Sequence, residues 1–493
     1  MALITEWMPA PRFREDKLRG HGAKGTDDAA ACSTWNRSPI IALSMSQHSR
    51  KPRASLHTLG CRLNQAETAV LGDVLTRQGY DIVPFGQSTD LLVLNTCSVT
   101  ENAEKDCRYA VRKTLRHSPH AFVAVTGCYA QTGREALRLM PGIDLLLGNQ
   151  FKLDLPTYLP ASGSLRKLPM AEVHHTRTIA REEFTLPGAA YSDSTRALLK
   201  IQDGCDFMCS FCIIPFARGH ERSRIMDDVV REAELLAARG YKELVLTGVN
   251  IGRYHYRDRN IIDLLRRLET IDGIARIRIS SIEPTTVDRD LLEYMAGSTK
   301  LCRYLHIPLQ SGDDRILHAM NRNYTLRDYT DLIETACGLM PDIGLGTDLM
   351  VGFPGETDEQ FDRTVRTARE LPFAYCHVFS YSRRPGTAAA KMRQSVPRST
   401  IRRRSRALAE LSRMKTLAQH ERHIGRTMPV LFERGERDGF RLGLTENFMR
   451  VAVASQDDLA GALRDVTMTG TTEGMALGRL VAASHHSSTV PLL

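Results

Sequence analysis

Long hydrophobic runs are missing from this sequence. No stretch of about 18 or more consecutive apolar residues occurs, so no membrane-spanning helix is expected. The N-terminal segment MALITEWMPAPRFRED also lacks the long apolar core of a secretory signal peptide. These two absences predict a cytoplasmic protein with no membrane partner.

A disulfide framework is not expected either. The chain has 11 cysteines, but cytoplasmic thiols are kept reduced. Cysteines in such a chain point instead to metal binding or redox chemistry. The formal net charge of +9 suits a polyanionic partner such as RNA, although simple solubility explains the same charge.

Composition and periodicity divide the 493 residues into five segments. Residues 1–50 show no sustained period and are predicted to be a disordered extension with no role in the chemistry. Residues 53–150 alternate strand-like and helix-like runs, which indicates an α/β domain with a parallel sheet. Residues 151–195 carry scattered prolines and glycines and are predicted to be a linker. Residues 196–425 form a second α/β domain, and residues 427–485 a small β domain.

The second α/β domain repeats a strand–helix rhythm six times, which favours a barrel or partial barrel over an open sheet. The candidate strands are 196–202, 242–248, 275–280, 303–309, 343–352 and 374–380. A basic helix over 398–426 follows. The short β runs and glycine-rich turns of residues 427–485 predict a small β-barrel or sandwich.

Three cysteines follow the first of these strands directly. Cys205, Cys209 and Cys212 have the spacing C-x3-C-x2-C in GCDFMCSFCIIPFARG, which places them in a βα loop that can wrap one corner of a cubane. A cubane of four irons needs four outer ligands, so three thiolates leave one iron open. Zinc is the alternative, but zinc sites usually have two CxxC pairs or a nearby histidine, and no fourth ligand stands close here.

A second trio, Cys61, Cys97 and Cys128, closes three strand candidates in HTLGC, VLNTC and VTGC. Because the carboxyl ends of parallel strands share one edge, the three thiols are expected to converge there as a second three-legged cluster site. Buried structural cysteines are the alternative, but they do not explain why all three stand at strand ends. No function is assigned to the remaining cysteines, which are Cys32, Cys107, Cys302, Cys337 and Cys376.

The Cys205 segment closely resembles the radical S-adenosylmethionine (SAM) superfamily. The resemblance implies that SAM chelates the open iron and that the reduced cluster cleaves SAM to a deoxyadenosyl radical, which abstracts hydrogen. It also implies that Phe211 packs near the adenine. Positions at the ends of successive strands resemble the family's SAM contacts, although each alone could be a cap or turn residue: Gly248, Asn250, Glu283, His306, Gln310, Ser311, Asp348 and Gly352.

Residues 53–450 resemble the methylthiotransferases. TLGCRLNQAE, NTCSVT, TGCYAQ, HIPLQSGDDRILHAMNRNYT and TDLMVGFPGETDEQF carry that resemblance with the radical motif. It implies a flavodoxin-like N-terminal domain, a partial (βα)6 TIM-type barrel and a small TRAM-like RNA-binding β-barrel. It also implies two 4Fe–4S clusters, two SAM molecules per turnover and transfer of a methylthio group to an unactivated carbon. The electron donor is expected to be of the flavodoxin or ferredoxin type, and the sulfur source is not assigned.

Three branches of this family, which differ in their substrates, are the alternatives for this sequence. HVFSYSRRPGTAA and PVLFERGERDGFRLGLTENFMRVAV most resemble the branch that modifies threonylcarbamoyladenosine at position 37 of tRNA. The other two branches act on isopentenyladenosine in tRNA and on an aspartate of a ribosomal protein. A radical SAM methyltransferase without sulfur insertion and an RNA-binding iron–sulfur sensor are the alternatives from other classes.

Basic residues supply the candidate tRNA contacts. The basic helix fits phosphate contacts, although a solvated helix face is the simpler explanation. A second basic group, RSR, lies near the radical motif. The candidates are Arg222, Arg224, Arg402, Arg403, Arg404, Arg406, Arg413 and Lys415.

Overall fold

Six parallel strands form the sheet of the N-terminal domain, in the order β2-β1-β3-β4-β5-β6. The computed structural model describes residues 50–98, 101–161, 164–192, 194–472 and 474–481. Residues 1–49, which contain most of the predicted extension and Cys32, lie outside the described residues. The elements of this domain are β1 (Arg53–Thr58), α1 (Arg62–Arg77), β2 (Asp81–Val83), β3 (Leu91–Thr96), α2 (Glu101–His117), β4 (Phe122–Gly127), α3 (Cys128–Thr132), α4 (Arg134–Arg138), β5 (Leu145–Leu147), α5 (Leu155–Tyr158) and β6 (Glu172–His174).

Strands β3 and β4 are buried along their whole length because helices cover both faces of the sheet. Leu92 and Leu94 join one apolar cluster, whereas Leu91 and Val93 join the cluster on the opposite face. The order 2-1-3-4-5 is that of flavodoxin-like folds, in which ligands bind beyond the carboxyl ends of β1 and β3. The predicted flavodoxin-like domain is confirmed.

The segment 151–195 is more than a linker, which corrects the prediction. Strand β6 pairs with β5 and extends the N-terminal sheet, and Leu186 and Ala190 pack against Val70 of α1. The strand has only three residues, so it leaves no periodic pattern in the sequence.

The middle domain forms a partial barrel. Parallel strands β7-β10-β13 and β14-β15-β16 make two groups, which the bridges Ile277–Leu301 and Ser281–His306 join. All six predicted strands are present. The elements are β7 (Ala197–Lys200), β8 (Gln202–Asp203), α6 (Ile214–Arg218), β9 (Arg222–Ser223), α7 (Met226–Ala238), β10 (Glu243–Thr247), β11 (His255–Tyr256), β12 (Arg259–Asn260), α8 (Ile261–Glu269), β13 (Arg276–Ile279), α9 (Arg289–Gly297), β14 (Tyr304–His306), α10 (Asp314–Ala319), α11 (Leu326–Leu339), β15 (Gly344–Val351), α12 (Asp358–Glu370), β16 (Tyr375–Ser380) and α13 (Arg398–Glu421).

Side-chain caps fix where three of the barrel helices begin. Asn260, Thr325 and Thr357 each accept a hydrogen bond from a backbone N–H in the first turn of α8, α11 and α12. In each case the side chain three residues later accepts a hydrogen bond from the backbone N–H of the capping residue, which completes a capping box. These caps therefore set the residues at which the three helices begin.

A closed barrel of five strands, in the order β17-β18-β19-β21-β20, follows α13 and confirms the predicted small TRAM-like β-barrel. Its strands are β17 (Thr427–Phe432), β18 (Phe440–Thr445), β19 (Arg450–Ala454), β20 (Leu463–Thr472) and β21 (Met475–Leu480). Arg276 and Arg278 of β13 donate hydrogen bonds to backbone carbonyls of this barrel and dock it against the middle domain. In the part of the chain that the structure describes, no helix is long and apolar enough to cross a bilayer.

Candidate metal centres

The loop with the first cysteine trio is held at both ends by backbone hydrogen bonds. The N–H of Cys205 donates to the carbonyl of Gly219 over 3.1 Å, and the N–H of Ser210 donates to the carbonyl of Met320 over 2.9 Å. The carbonyl of Ser210 in turn accepts from the N–H of Ala389 over 2.7 Å. These hydrogen bonds fix the loop to the barrel on two sides.

Each thiol of this trio accepts a hydrogen bond. The N–H of Phe207 lies 3.4 Å from Cys205 Sγ, and the N–H of Ile214 lies 3.3 Å from Cys212 Sγ. Arg322 Nη1 lies 3.3 Å from Cys209 Sγ. Such donors favour anionic sulfur, so the loop fits an iron–sulfur cluster.

Two of these thiols, those of Cys205 and Cys212, nevertheless resist ionisation without a metal. Burial raises the pKa of Cys205 to about 12, and burial also raises the pKa of Cys212 well above its usual range. The charge of Cys209 adds to both increases. A bound metal reverses this effect, because a coordinating thiol loses its proton.

An ion pair lies beside this loop. Arg322 binds both carboxylate oxygens of Glu283, through Nη1 at 3.3 Å and through a short contact from Nη2. Burial opposes the charge of Glu283, but Arg322 outweighs burial and lowers the pKa of this carboxyl. Both side chains line a small cavity with Phe207 and Cys209. Glu283 is therefore held as a carboxylate at the edge of the cysteine loop.

The second trio lies at the ends of three neighbouring strands, as predicted from the sequence. Cys61 follows β1, Cys97 follows β3 and Cys128 follows β4, and these strands are adjacent in the sheet. A Cβ atom at Gly60 would lie 2.7 Å from Cys97 Cβ, so the Cys61 and Cys97 loops touch. Burial raises the pKa of Cys61; Arg218 lowers this pKa and Cys128 raises it.

The close approach of β3 and β4 requires glycine before Cys128. Gly127 has φ +98°, and a Cβ atom there would lie 2.4 Å from the carbonyl oxygen of Thr96. The structure thus brings the three thiols to one sheet edge, with the donor set of a cluster site.

The two trios are neighbours. Helix α3 begins at Cys128 and contacts α6, which follows Cys212 closely. Asn149 connects the two sides: Nδ2 donates to the carbonyl of Ala217 over 2.6 Å and lies 4.0 Å from Cys128 Sγ. The N-terminal domain therefore presents its cysteine edge to the cysteine loop of the barrel.

A buried charged cluster joins the same two domains, and sequence reasoning missed it. Glu67 of α1 forms ion pairs with Lys152, Lys200 and Arg218, and Asp203 pairs with Lys200 and Arg218. Glu67 and Arg218 both stand within the motifs that carry the family resemblance, NQAE and FARG. Their presence in those motifs is a signal that could have identified them.

The expected SAM contacts lie around the open end of the barrel. Phe211 packs with Cys205 and Cys212 in one apolar cluster. Gly248 stands against Gln202, whose Oε1 accepts hydrogen bonds from the N–H groups of Val249 and Asn250. Among the described residues, Asn250 Nδ2 is a buried donor without a partner, as expected for a group that awaits a ligand.

Three further residues that are expected to contact SAM lie after β14 or within β15. Gln310 has φ +68° and forms a bridge with Leu349 of β15, so its backbone is tied to the strand. Ser311 is buried and its hydroxyl lies 3.3 Å from that of Thr364 in α12. Asp348 lies inside β15, three residues before the strand ends.

Asp348 belongs to a polar wall inside the barrel. His306 Nε2 lies 3.0 Å and His377 Nδ1 3.5 Å from Asp348 Oδ1, and the ligand atoms of the three residues lie within 4.8 Å of one another. Tyr375 hydrogen-bonds to His306 Nδ1 over 3.0 Å. Phe448, from the β18–β19 turn, stacks on Tyr304 below this wall. Cross-strand neighbours that stand far apart in sequence build this surface, so the sequence alone did not assemble it.

The structure corrects two of the predicted RNA contacts. Arg224 is buried and paired with Asp228 and Glu232, and Arg404 is buried and paired with Glu356 and Asp358. A guanidinium so enclosed does not reach phosphate.

The other predicted RNA contacts lie nearer the surface. Arg402, Arg403 and Arg406 are exposed on α13, with Arg403 paired to Asp358. Arg222 is half-buried and pairs with Asp203. On the same helix Arg413 is exposed beside Glu410, while Lys415 Nζ bonds the backbone carbonyls of Arg369 and Leu371.

Family models match both α/β domains. Residues 199–368 match the radical SAM superfamily, and residues 53–148 match the uncharacterized protein family UPF0004. A radical SAM fold implies a 4Fe–4S cluster and SAM as cofactors.

Curated relatives match most of the chain. This chain is 36% identical over 416 residues to the threonylcarbamoyladenosine tRNA methylthiotransferase MtaB of Bacillus subtilis (strain 168). The alignment covers 83% of this chain and 92% of that protein. The protein of the same name from Aquifex aeolicus (strain VF5) is 35% identical, over 81% and 96% of the two chains. The tRNA-2-methylthio-N(6)-dimethylallyladenosine synthase of Maricaulis maris (strain MCS10) is 33% identical, over 89% and 99%. The chain therefore belongs to the radical SAM methylthiotransferase family.

Proposed function

We propose that this protein is a tRNA methylthiotransferase that adds a methylthio group to threonylcarbamoyladenosine at position 37 of tRNA. The relatives from B. subtilis and A. aeolicus carry this nucleoside in their names, and each aligns with more than four fifths of this chain. The observation that carries the proposal is the second cysteine trio beside the first. Sulfur insertion needs a sulfur-carrying site next to the radical site, whereas a simple radical methyltransferase has no use for one.

Each trio would hold one 4Fe–4S cluster. Cys205, Cys209 and Cys212 would hold the cluster that binds SAM, and Cys61, Cys97 and Cys128 the second. When bound, the first cluster and SAM supply a radical that removes hydrogen, and the second cluster supplies the sulfur. Two SAM molecules are consumed per turnover, one as methyl donor and one as radical source. The reducing electron would come from a flavodoxin- or ferredoxin-type donor.

The chain's own residues position these groups. Arg322 donates to Cys209 Sγ and holds Glu283, so one guanidinium fixes both a cluster ligand and a carboxylate at the SAM site. Asn250 Nδ2 is available to donate to a polar group of SAM. The wall of His306, Asp348 and His377 lies on the strands below, where a flipped-out base would meet polar side chains.

The exposed arginines Arg402 and Arg406 of α13, with the half-buried Arg222, are the candidate contacts for tRNA phosphates. The small β-barrel that follows α13 would add to this surface. Phosphate contacts position an RNA but carry no base specificity, so the choice of nucleoside must arise inside the barrel.

Nucleoside mass spectrometry of tRNA from a deletion strain tests the proposal. Loss of methylthio-threonylcarbamoyladenosine with the dimethylallyl derivative intact is the expected result. Loss of only the dimethylallyl derivative would assign the chain to the branch of the M. maris relative. Unchanged methylthio nucleosides would refute a role in tRNA altogether.

Iron counting separates this proposal from a radical SAM methyltransferase. Anaerobically reconstituted protein should hold about eight irons per chain if both trios carry a 4Fe–4S cluster. A value of about four, unchanged when Cys61, Cys97 and Cys128 are replaced by alanine, would show that the second trio holds no cluster.

A further inference from the structure

A cluster of five charged side chains lies between the two cysteine trios. Glu67 comes from α1, Lys152 from the segment after β5, Lys200 and Asp203 from β7 and β8, and Arg218 from the end of α6. None of the five side chains is more than 4% exposed. The ion pairs within the cluster are 2.5 to 2.9 Å long. Burial this complete removes water as a source of charge compensation.

The charges of this cluster do not balance. Lys152, Lys200 and Arg218 are cations, whereas Glu67 and Asp203 are the two carboxylates, which leaves one excess positive charge. Arg222, 3.3 Å from Asp203 and 13% exposed, adds a further cation at the border. An excess charge away from water is unfavourable unless an anion lies close by.

The cysteines of the second trio lie near this excess charge and become anionic when they coordinate a metal. Arg218 interacts electrostatically with Cys61 and Cys128, and Lys152 interacts with Cys128. Lys200 faces a different surface, since its ammonium lies 5.0 Å from the ring of Phe184. Arg218 and Lys152 are therefore the two cations of the cluster that interact electrostatically with cysteines of the second trio.

Asn64 fixes Arg218 to the loops that carry these cysteines. Its Oδ1 accepts a short hydrogen bond from Arg218 Nη2, and its Nδ2 donates to the carbonyls of Leu59 and Thr96, each over 2.9 Å. Leu59 and Thr96 lie two residues and one residue before Cys61 and Cys97. One amide thus ties the guanidinium of the barrel domain to two of the three cysteine loops.

We propose that Arg218, supported by Lys152, is a positioning residue that supplies the positive charge opposite the second cluster and its anionic sulfur ligand. This inference rests on the second cluster of the proposed function. The charge stabilises the more negative, reduced form, so Arg218 raises the cluster's reduction potential. Glu67 attenuates the same charge and lowers that potential.

Shifts of the cluster's midpoint potential in opposite directions, from variants of Arg218 and Glu67, distinguish this electrostatic role from a role in holding the two domains together. The experiment uses the full chain with Cys205, Cys209 and Cys212 all replaced by alanine, so that only the second cluster is observed. Its midpoint potential is measured by a dye-mediated titration followed by electron paramagnetic resonance, and iron content is counted in parallel. Arg218→Gln should shift the midpoint downward, Arg218→Lys should restore most of it, and Glu67→Gln should shift it upward.

Arg224→Gln is the matched control, because Arg224 is another buried, ion-paired arginine of the same domain that pairs with Asp228 and Glu232. It should leave the midpoint unchanged. If Arg218→Gln fails to retain iron, Lys152→Met gives the second measurement and should also shift the midpoint downward. Unchanged midpoints in loaded Arg218→Gln and Glu67→Gln proteins, or shifts of the same sign, would overturn the inference. Absence of iron from the triple-alanine parent would instead show that the second trio holds no cluster, which would refute the proposed function.

Discussion

At the scale of single residues, the two cysteine trios differ in the elements that hold them. A loop fixed by backbone hydrogen bonds carries Cys205, Cys209 and Cys212, so their spacing in sequence is short. Three strand ends carry Cys61, Cys97 and Cys128, so their spacing follows the βαβ repeat. The first site is thus built locally, whereas the second exists only when the sheet is formed.

Replacement of one cysteine from each trio should separate two activities. Cys205→Ala should reduce both SAM cleavage and methylthio product to background, because it removes a proposed ligand of the radical cluster. Cys97→Ala should retain SAM cleavage but make no methylthio product. Deoxyadenosine and the modified nucleoside are measured by mass spectrometry. Cys337→Ala, in helix α11 away from both sites, is the control and should behave as the wild type. A methylthio product from Cys97→Ala would contradict the assignment of the second trio.

A buried histidine makes stability depend on pH. Burial lowers the pKa of His420 in α13 to about 4, and its Nδ1 is a buried atom without a partner in the described part of the chain. The folded protein therefore binds this proton less readily than the unfolded chain, whose histidine pKa is about 6.5. The stability that the uncharged His420 preserves is fully present above about pH 6.5 and is lost as the pH falls towards 4. Between pH 7 and pH 5 the free energy of unfolding should fall by about 2 kcal/mol for this reason.

The variant His420→Leu tests this linkage. It removes the titrating group, so the loss of unfolding free energy between about pH 7 and pH 5 should be smaller than in the wild type by about 2 kcal/mol. Urea denaturation at the two pH values measures the difference. An equal pH dependence in both proteins would show that His420 is protonated at little cost in the folded state.

At the scale of elements, the spacing of β3 and β4 depends on Gly127. An alanine there would place its Cβ 2.4 Å from Thr96 O and 2.5 Å from Thr96 N, both backbone atoms that cannot move without displacing Cys97. Gly127→Ala should therefore lose the proposed second cluster as well as stability. Iron content should fall from about eight towards about four per chain while SAM cleavage remains.

Gly79→Ala is the matched control for that variant. Gly79 also has a positive φ of +90°, but a Cβ atom there would meet nothing within 4 Å. It should cost only the backbone strain of a left-handed residue, about 1 kcal/mol, with full iron content. Equal iron contents in the two variants would show that the contact with Thr96 does not set the cluster geometry.

The sequence predicted elements with strong local patterns and missed features that arise between distant segments. The six barrel strands and the three cysteine strand ends are local signals, and all are present. Strand β6 is only three residues long and exists through pairing with β5, so no period reveals it. Arg224 and Arg404 looked like RNA contacts because they lie in basic runs. Their acidic partners, Asp228, Glu232 and Glu356, become neighbours through helix geometry or tertiary contact.

At the scale of the whole molecule, buried charged side chains hold the domains together. Glu67 joins the N-terminal domain to the barrel, and Arg278 joins the barrel to the C-terminal β domain. Removal of one partner from such a site leaves the other charge without compensation. Substitution of one of these buried charged residues is therefore expected to destabilise the contact between the domains.

Arg278 provides the clearest test of this dependence. Its guanidinium pairs with Glu243 at 2.7 Å, and it donates to the carbonyls of Thr445 and Glu446 at 3.0 and 2.7 Å. Arg278→Met should destabilise the protein by about 3–5 kcal/mol because the buried Glu243 loses its hydrogen-bonded partner and keeps only Arg276, 3.9 Å away. Amide hydrogen exchange should rise first in residues 427–472, since the β domain loses its anchor. The double variant Arg278→Met/Glu243→Leu removes both charges and should recover part of the stability but not the protection of the β domain. If single and double variants are equally unstable, packing rather than charge sets the cost at this interface.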